Sequence, residues 1–349
     1  MSPRFAAQFQ QLRFLPTIDQ SRTSLDSHAA QVIERLSRSG YEPSNDAEVI
    51  RHRYVAARIP LLAEAEDVAR IVHVQSPGGG VPSMIILHPH KSSEEVLRPA
   101  LMFFHGGGWV LGGFDTYGPL CRQLANATGR VVVFVDYRLA PEHPFPAGLE
   151  DAWKALEWVA ANATWLGIDK ERIAVAGDSA GGNLAAVTAL AVRDGLLEAS
   201  VELQLLIYPC LDLTASQPSH EELASGYLLT KELYAWYRNQ YIGDYPLPAD
   251  WHLSPLFAED VTDVVPAIVL YAGFDPLRDE ALLYCARLID AGVPVEPIFY
   301  PGQIHGFMTM GGVIPAAAHA VHRIADVISK WERVPVLCRD AGEGVRSAV

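Results

Sequence analysis

No stretch of this 349-residue chain approaches the roughly 20 consecutive apolar residues that span a bilayer; runs such as Val131 to Val135 stop after a few positions. Membrane insertion is therefore not expected. Positive charge is also short, because 27 Lys and Arg against 41 Asp and Glu leave a formal charge of −14. That balance repels nucleic-acid phosphates and anionic lipid surfaces. Cysteine is sparse and scattered, Cys285 and Cys338 being the nearest neighbours among Cys121, Cys210, Cys285 and Cys338. No C-x-x-C spacing and no disulfide framework results, so buried free thiols are expected. Internal repeats, low-complexity tracts and blocks of like charge are missing, which removes solenoids and charged binding tails. The first residues, Met1-Ser2-Pro3-Arg4-Phe5, soon meet Gln8, Gln10, Gln11 and Arg13 instead of an apolar signal core. A cytoplasmic protein is expected, with the sequons at Asn126 and Asn162 unmodified.

What is present is the balance of a globular chain, 50% hydrophobic and 19% charged. Near-continuous apolar runs at 131–135, 173–176, 203–208, 268–271 and 295–300 read as strands buried on both faces, preceded by strands at 68–74, 83–88 and 100–104. Helical patterns at 115–127, 148–162, 180–193, 279–291 and 316–331 alternate with them. The alternation predicts an α/β fold, a mostly parallel central sheet with helices on both faces.

Two segments stand outside the alternation. Residues 1–60 carry no strand pattern, although Asp26 or Ser27 can cap a helix through Val32, Ile33 and Leu36 that stops at Gly40. Residues 211–252 hold seven aromatics, Tyr227, Tyr234, Trp236, Tyr237, Tyr241, Tyr245 and Trp251, against 9% aromatic overall. Most of these rings are expected to pack as core and a minority to face a ligand cavity. Together the two segments are read as a helical cap over a body formed by 61–210 and 253–332, with 333–349 as a loose tail.

The chemistry concentrates at strand ends. Ile173 to Ala176 leads into Gly177-Asp178-Ser179-Ala180-Gly181-Gly182, a strand, a sharp turn and a helix with Ser179 on the turn. This is the nucleophile-elbow spacing, in which crowded backbone demands small residues at Gly177, Ala180 and Gly181. A serine that merely caps the helix is the plainer alternative. After the strand at 100–104, His105-Gly106-Gly107-Gly108-Trp109 can aim several N–H groups into one space. The N–H groups of Gly106 and Gly107, with that of Ala180, are assigned as an oxyanion hole. A phosphate cradle is the competing use of three glycines, but neither G-x-G-x-x-G nor Gly-Lys-Ser/Thr is present. His105, inside the loop, is read as structural.

Among twelve histidines, His305 follows the strand at 295–300, at the sheet edge where α/β sites form. Asp275 follows the strand at 268–271, with Asp279 as a rival on the next helix. The pair His319 and His322 lacks a third ligand, so no metal is assigned. Ser179, Asp275 and His305 then succeed one another as nucleophile, orienting acid and base. Trp109, Tyr208 and Phe307 are candidates for contact with substrate.

His105-Gly106-Gly107-Gly108-Trp109, the segment Asp136 to Ala147, Gly177-Asp178-Ser179-Ala180-Gly181-Gly182-Asn183, Asp275-Pro276-Leu277 and His305-Gly306-Phe307 together resemble the hormone-sensitive-lipase family of esterases. The resemblance covers roughly 85–331. It implies an α/β-hydrolase domain with a helical cap, and a serine carboxylesterase for short- to medium-chain acyl or aryl esters that needs no metal or organic cofactor. It also implies that the proline-bearing segment 136–147 shapes the floor of the site. The same machinery serves amidases, formamidases and acyltransferases. Hormone-binding receptors related to the family lack the catalytic histidine, whereas His305 and Asp275 are both here. The partner expected is a small-molecule ester; the resemblance allows a homodimer, for which the sequence identifies no edge.

Overall fold

The computed structural model describes residues 24–38, 46–90, 96–243, 245–246 and 249–333. Gly40, Cys338 and the tail expected beyond Arg333 lie outside the described residues. Among the described residues eight strands form one sheet in the order β1-β2-β4-β3-β5-β6-β7-β8. They are β1 (Arg70–Val74), β2 (Ser83–His88), β3 (Arg98–Phe104), β4 (Val131–Asp136), β5 (Ile168–Asp178), β6 (Leu203–Ile207), β7 (Ala267–Phe274) and β8 (Val295–Ile304). Only the pairings of β2 are antiparallel; from β4 to β8 every neighbour is parallel.

The apolar runs become interior strands because both faces are covered. In β3, Ala100, Met102 and Phe104 enter one core while Leu101 and Phe103 enter the other. β4 repeats the alternation, with Val131, Val133 and Val135 against Val132 and Phe134. The first core is closed by α4 (Ala147–Ala161), α5 (Ala180–Arg193) and α8 (Arg278–Asp290), and the second by α3 (Phe114–Thr128) and α9 (Ala316–Arg333). Cys121, Cys210 and Cys285 are buried free thiols, as the sequence led one to expect.

The N-terminal segment supplies α1 (Ser27–Arg38), whose first turn is capped by Asp26 Oδ1 accepting from the N–H groups of His28 and Ala29. It also supplies α2 (Ala47–Arg58), a helix the sequence reading did not find, capped by Asp46. The segment between β6 and β7 adds α6 (Ser219–Glu222) and α7 (Lys231–Ile242). No helix among the described residues is long and apolar enough to cross a membrane.

Chain order fixes where a site can form. From β3 the chain moves outward to β4, then crosses back to β5 on the other side of β3, so the connections diverge there. Such a switch point leaves a crevice beyond the carboxyl ends of the strands. The loops after β3, β5, β7 and β8 all open onto that edge.

Candidate active site

Ser179 occupies the single position between β5 and α5, with φ 54° and ψ −117°. A non-glycine residue there is strained by about 1–3 kcal/mol and must be held by its surroundings. The holding bonds are Ser179 N–H to Ile207 O at 2.9 Å and Cys210 N–H to Ser179 O at 3.0 Å. Crowding explains the small neighbours. A Cβ on Gly177 would stand 2.3 Å from the carbonyl carbon of Gly181, and one on Gly181 only 1.9 Å from Phe104 O. Trp109 and Tyr208 also carry positive φ, at 60° and 34°, so strained backbone gathers around the same crevice.

His305 Nε2 lies 2.8 Å from Ser179 Oγ, and His305 Nδ1 lies 2.8 Å from Asp275 Oδ2. Asp275 is fully buried, and its other oxygen accepts from the Leu277 N–H at 2.9 Å. A carboxylate only accepts, so Nδ1 carries the imidazole proton and Nε2 is left to accept from the hydroxyl. Asp279, the rival, sits on α8 and takes the N–H of Ser219 at 3.0 Å.

The glycine loop differs from expectation at one residue. Gly106 N–H donates to Asp178 Oδ1 at 2.7 Å, so this group is spent inside the protein and is not an oxyanion donor. Gly107 and Gly108 line the cavity with Ser179 and Ala180 instead. Ala180 is the first residue of α5, so its N–H has no partner four residues back and stands at the positive end of the helix. Asp178 was missed in the sequence; the only signal was a carboxylate inside the elbow. It is buried, its Oδ2 accepts from Tyr117 OH at 3.1 Å, and burial pushes its carboxyl up to about 6 against the pull of the Gly106 N–H.

His105 is fully buried, stacked on Tyr137, with Nδ1 2.7 Å from Gly106 O. Burial lowers its imidazole to about 4, so it is a neutral donor to the loop carbonyl, in the structural place read from the sequence.

Residues 136–147 line none of the cavity and act from behind. Ala140 N–H bonds Trp109 O at 2.9 Å, Tyr137 OH bonds His105 O at 2.6 Å, and Phe145 N–H bonds Tyr241 O at 2.8 Å. Arg51 of α2 joins the same brace, donating to Val110 O and Ala140 O at 2.9 Å each and gripping Glu142 at 2.7 and 2.8 Å.

The cavity over Ser179 measures about 370 Å³ and is mainly apolar. Ile33, Leu36, Tyr54 and Arg58 reach it from the N-terminal helices, and Leu229, Leu233, Tyr234 and Tyr237 from the segment before β7. Of the aromatics in that segment, Tyr241 is core, stacked on Trp109 at 4.2 Å. Of the three residues read as substrate contacts, Trp109 lines the cavity and Tyr208 and Phe307 do not. Both are buried and line none of the cavity, Tyr208 with its ring 4.9 Å from that of His305 and Phe307 with its ring 5.9 Å from that of Tyr208. Among the described residues no group of three or more His, Cys, Asp or Glu is placed to hold a metal ion.

A sequence profile of the family described as alpha/beta hydrolase fold matches residues 101–309. Esterase LipI of Mycobacterium tuberculosis is 42% identical over 253 residues, 72% of this chain and 78% of its own. Ethyl acetate hydrolase of Pseudomonas putida is 36% identical over 271 residues, 77% of this chain and 84% of its own. The structure is similar to that of a hyperthermophilic esterase from the archaeon Pyrobaculum calidifontis, with a TM-score of 0.82 and 40% identity over 88% of this chain and 99% of that one. With this sheet order, this elbow and these relatives, the chain belongs to the α/β-hydrolase fold family, as a carboxylic ester hydrolase of the hormone-sensitive-lipase type.

Proposed function

We propose that the protein is a serine carboxylesterase for short- to medium-chain acyl or aryl esters, with Ser179 as nucleophile, His305 as base and Asp275 as orienting acid. The observation that carries this reading is the unbroken relay from Asp275 Oδ2 through His305 to Ser179 Oγ, with 2.8 Å at both contacts. Ser179 Oγ attacks the ester carbonyl while Nε2 takes its proton. The oxyanion develops among the N–H groups of Gly107, Gly108 and Ala180, where each fixed donor is worth about 2.7–4 kcal/mol in related chemistry. His305 then hands the proton to the departing alcohol, and water repeats the sequence on the acyl-enzyme.

The substrate class rests on cavity size and lining. About 370 Å³ of mainly apolar space, roofed by residues of α1, of α2 and of 226–237, suits a small ester better than a bulky lipid. These two segments are proposed as the cap of the catalytic body. Relatives named ethyl acetate hydrolase and arylesterase support the same size range.

The test is hydrolysis of p-nitrophenyl esters from acetate to palmitate, with Ser179→Ala alongside. Turnover that peaks at short or medium chains and disappears in the variant is expected. Absence of turnover at every chain length would overturn the esterase reading.

A further inference from the structure

Helix α2 meets the loop after β3 through the side chain of Arg51. Its Nε donates to Val110 O and its Nη2 to Ala140 O, at 2.9 Å each, while Glu142 takes Nη1 and Nη2 at 2.8 and 2.7 Å. The carboxylate meets the positive charge, so what the guanidinium brings to the loop is geometry, a rigid planar fork that holds two backbone carbonyls at a fixed separation.

The loop needs such a hold. Gly107, Gly108 and Trp109 stand in succession at φ 108°, 62° and 60°, which leaves the non-glycine Trp109 strained. Gly107 O accepts from the N–H groups of Val110 at 3.1 Å and Leu111 at 2.9 Å. A trans peptide sets its N–H opposite its C=O, so those two bonds turn the Gly108 N–H away from Val110 and Leu111. The aim of that donor therefore follows the position of the turn 107–111. Arg51 pins the turn at Val110 O, and again through Ala140, whose N–H bonds Trp109 O at 2.9 Å. Three residues further along α2, Tyr54 lines the cavity over Ser179, and so does Ala57. One helix thus borders both the substrate space and the support of the loop.

We infer that Arg51 is a positioning residue for the oxyanion hole, through which the docking of α2 fixes the aim of the Gly108 N–H. The inference rests on the esterase reading above.

The experiment measures hydrolysis of p-nitrophenyl butyrate, and inhibition by pentyl trifluoromethyl ketone and by the alcohol of the same skeleton, in the wild type, Arg51→Met and Arg51→Lys. Ser179 Oγ adds to the ketone carbon, its proton passes to His305, and the ketone oxygen becomes an oxyanion. The alcohol fills the same space without one. Arg51→Met should lower kcat roughly 10- to 100-fold and weaken inhibition by the ketone by the same factor, with KM and inhibition by the alcohol within about twofold of the wild type. Arg51→Lys, which keeps the charge but has no fork to reach both carbonyls, should fall between the two. The ratio of ketone to alcohol inhibition is read on folded protein, so a loss of stability does not move it, and Arg51→Lys supplies it where Arg51→Met does not fold. A ratio unchanged in the variants would overturn the role of Arg51 while leaving the esterase standing. Equal weakening of ketone and alcohol would also overturn it, since Arg51 would then shape the cavity and not the oxyanion hole. A wild type that does not hydrolyse p-nitrophenyl butyrate would remove the esterase reading and the inference with it.

Discussion

The carboxylate of Asp178 accepts the backbone N–H of Gly106 at 2.7 Å, joining the residue before Ser179 to the first glycine of the loop after β3. The turn at Ser179 and the glycine loop are thus registered against each other by one buried bond. Asp178→Ala should leave the Gly106 N–H buried and unsatisfied, at a cost of about 1–3 kcal/mol. Steady-state kinetics should show kcat reduced roughly 10- to 100-fold, on the order of one weakened oxyanion donor, with KM little changed. Activity within twofold of the wild type would mean the loop holds its register without Asp178.

The same carboxyl gives stability a pH dependence of defined sign. Folded, Asp178 keeps its proton up to about 6, whereas an unfolded aspartate releases it near about 3.9. Between those values the folded state binds more protons, so its contribution falls as pH rises through that window. Asp178→Asn keeps an acceptor for Gly106 but does not titrate. The difference in urea midpoint, wild type minus Asp178→Asn, should decline from about pH 4 to about pH 6 and then level off.

Asp275→Asn should fold normally and lose about four orders of magnitude in kcat, because an amide facing Nδ1 favours the tautomer that cannot accept from Ser179. Circular dichroism would check the fold. Turnover near the wild-type value would remove Asp275 from the relay.

Two glycines make a matched pair. Gly181→Ala would place a methyl 1.9 Å from Phe104 O, where only backbone movement could relieve it, so a loss of about 3 kcal/mol or more is expected in a denaturant titration. Gly113 has extended backbone at φ 164° and nothing within 4 Å of its Cβ position, and Gly113→Ala should cost less than about 1 kcal/mol.

Tyr237 is the ring that closes over Gly108, where a Cβ would meet its Cγ at 2.3 Å. Tyr237→Ala should open that wall and move the chain-length optimum to longer acyl groups. Each methylene newly accommodated is worth about 0.8 kcal/mol, roughly fourfold in kcat/KM. An unchanged chain-length profile would place the acyl group elsewhere in the cavity.

The sheet was legible because strands covered on both faces, such as Val131 to Val135 in β4, are apolar at nearly every position. Each candidate for the relay could be read in the loop a few residues after such a run, and the observed strands extend to the residue just before it. What escaped was set by contacts between elements. α2 contributes only Ile50 and Tyr54 as buried residues, too few for a clear apolar stripe. Gly106 resembled its neighbours until Asp178, 72 positions away, was seen to claim its N–H. Tyr208 and Phe307, read as substrate contacts, are buried outside the cavity lining, Tyr208 against the His305 ring and Phe307 against Tyr208, a distinction that neither spacing nor residue type carries.

The crevice draws its parts from both ends of the chain, from Ile33 on α1 to His305 after β8, the strand at one edge of the sheet. During synthesis the elbow emerges long before its base does, and domains fold as units. With the proposed relay, a nascent or truncated chain that stops short of β8 presents Ser179 with no His305 beside it and is expected to be inactive. On that reading esterase activity reports that β8 has been added, which makes turnover of a chromogenic ester a real-time assay for its arrival.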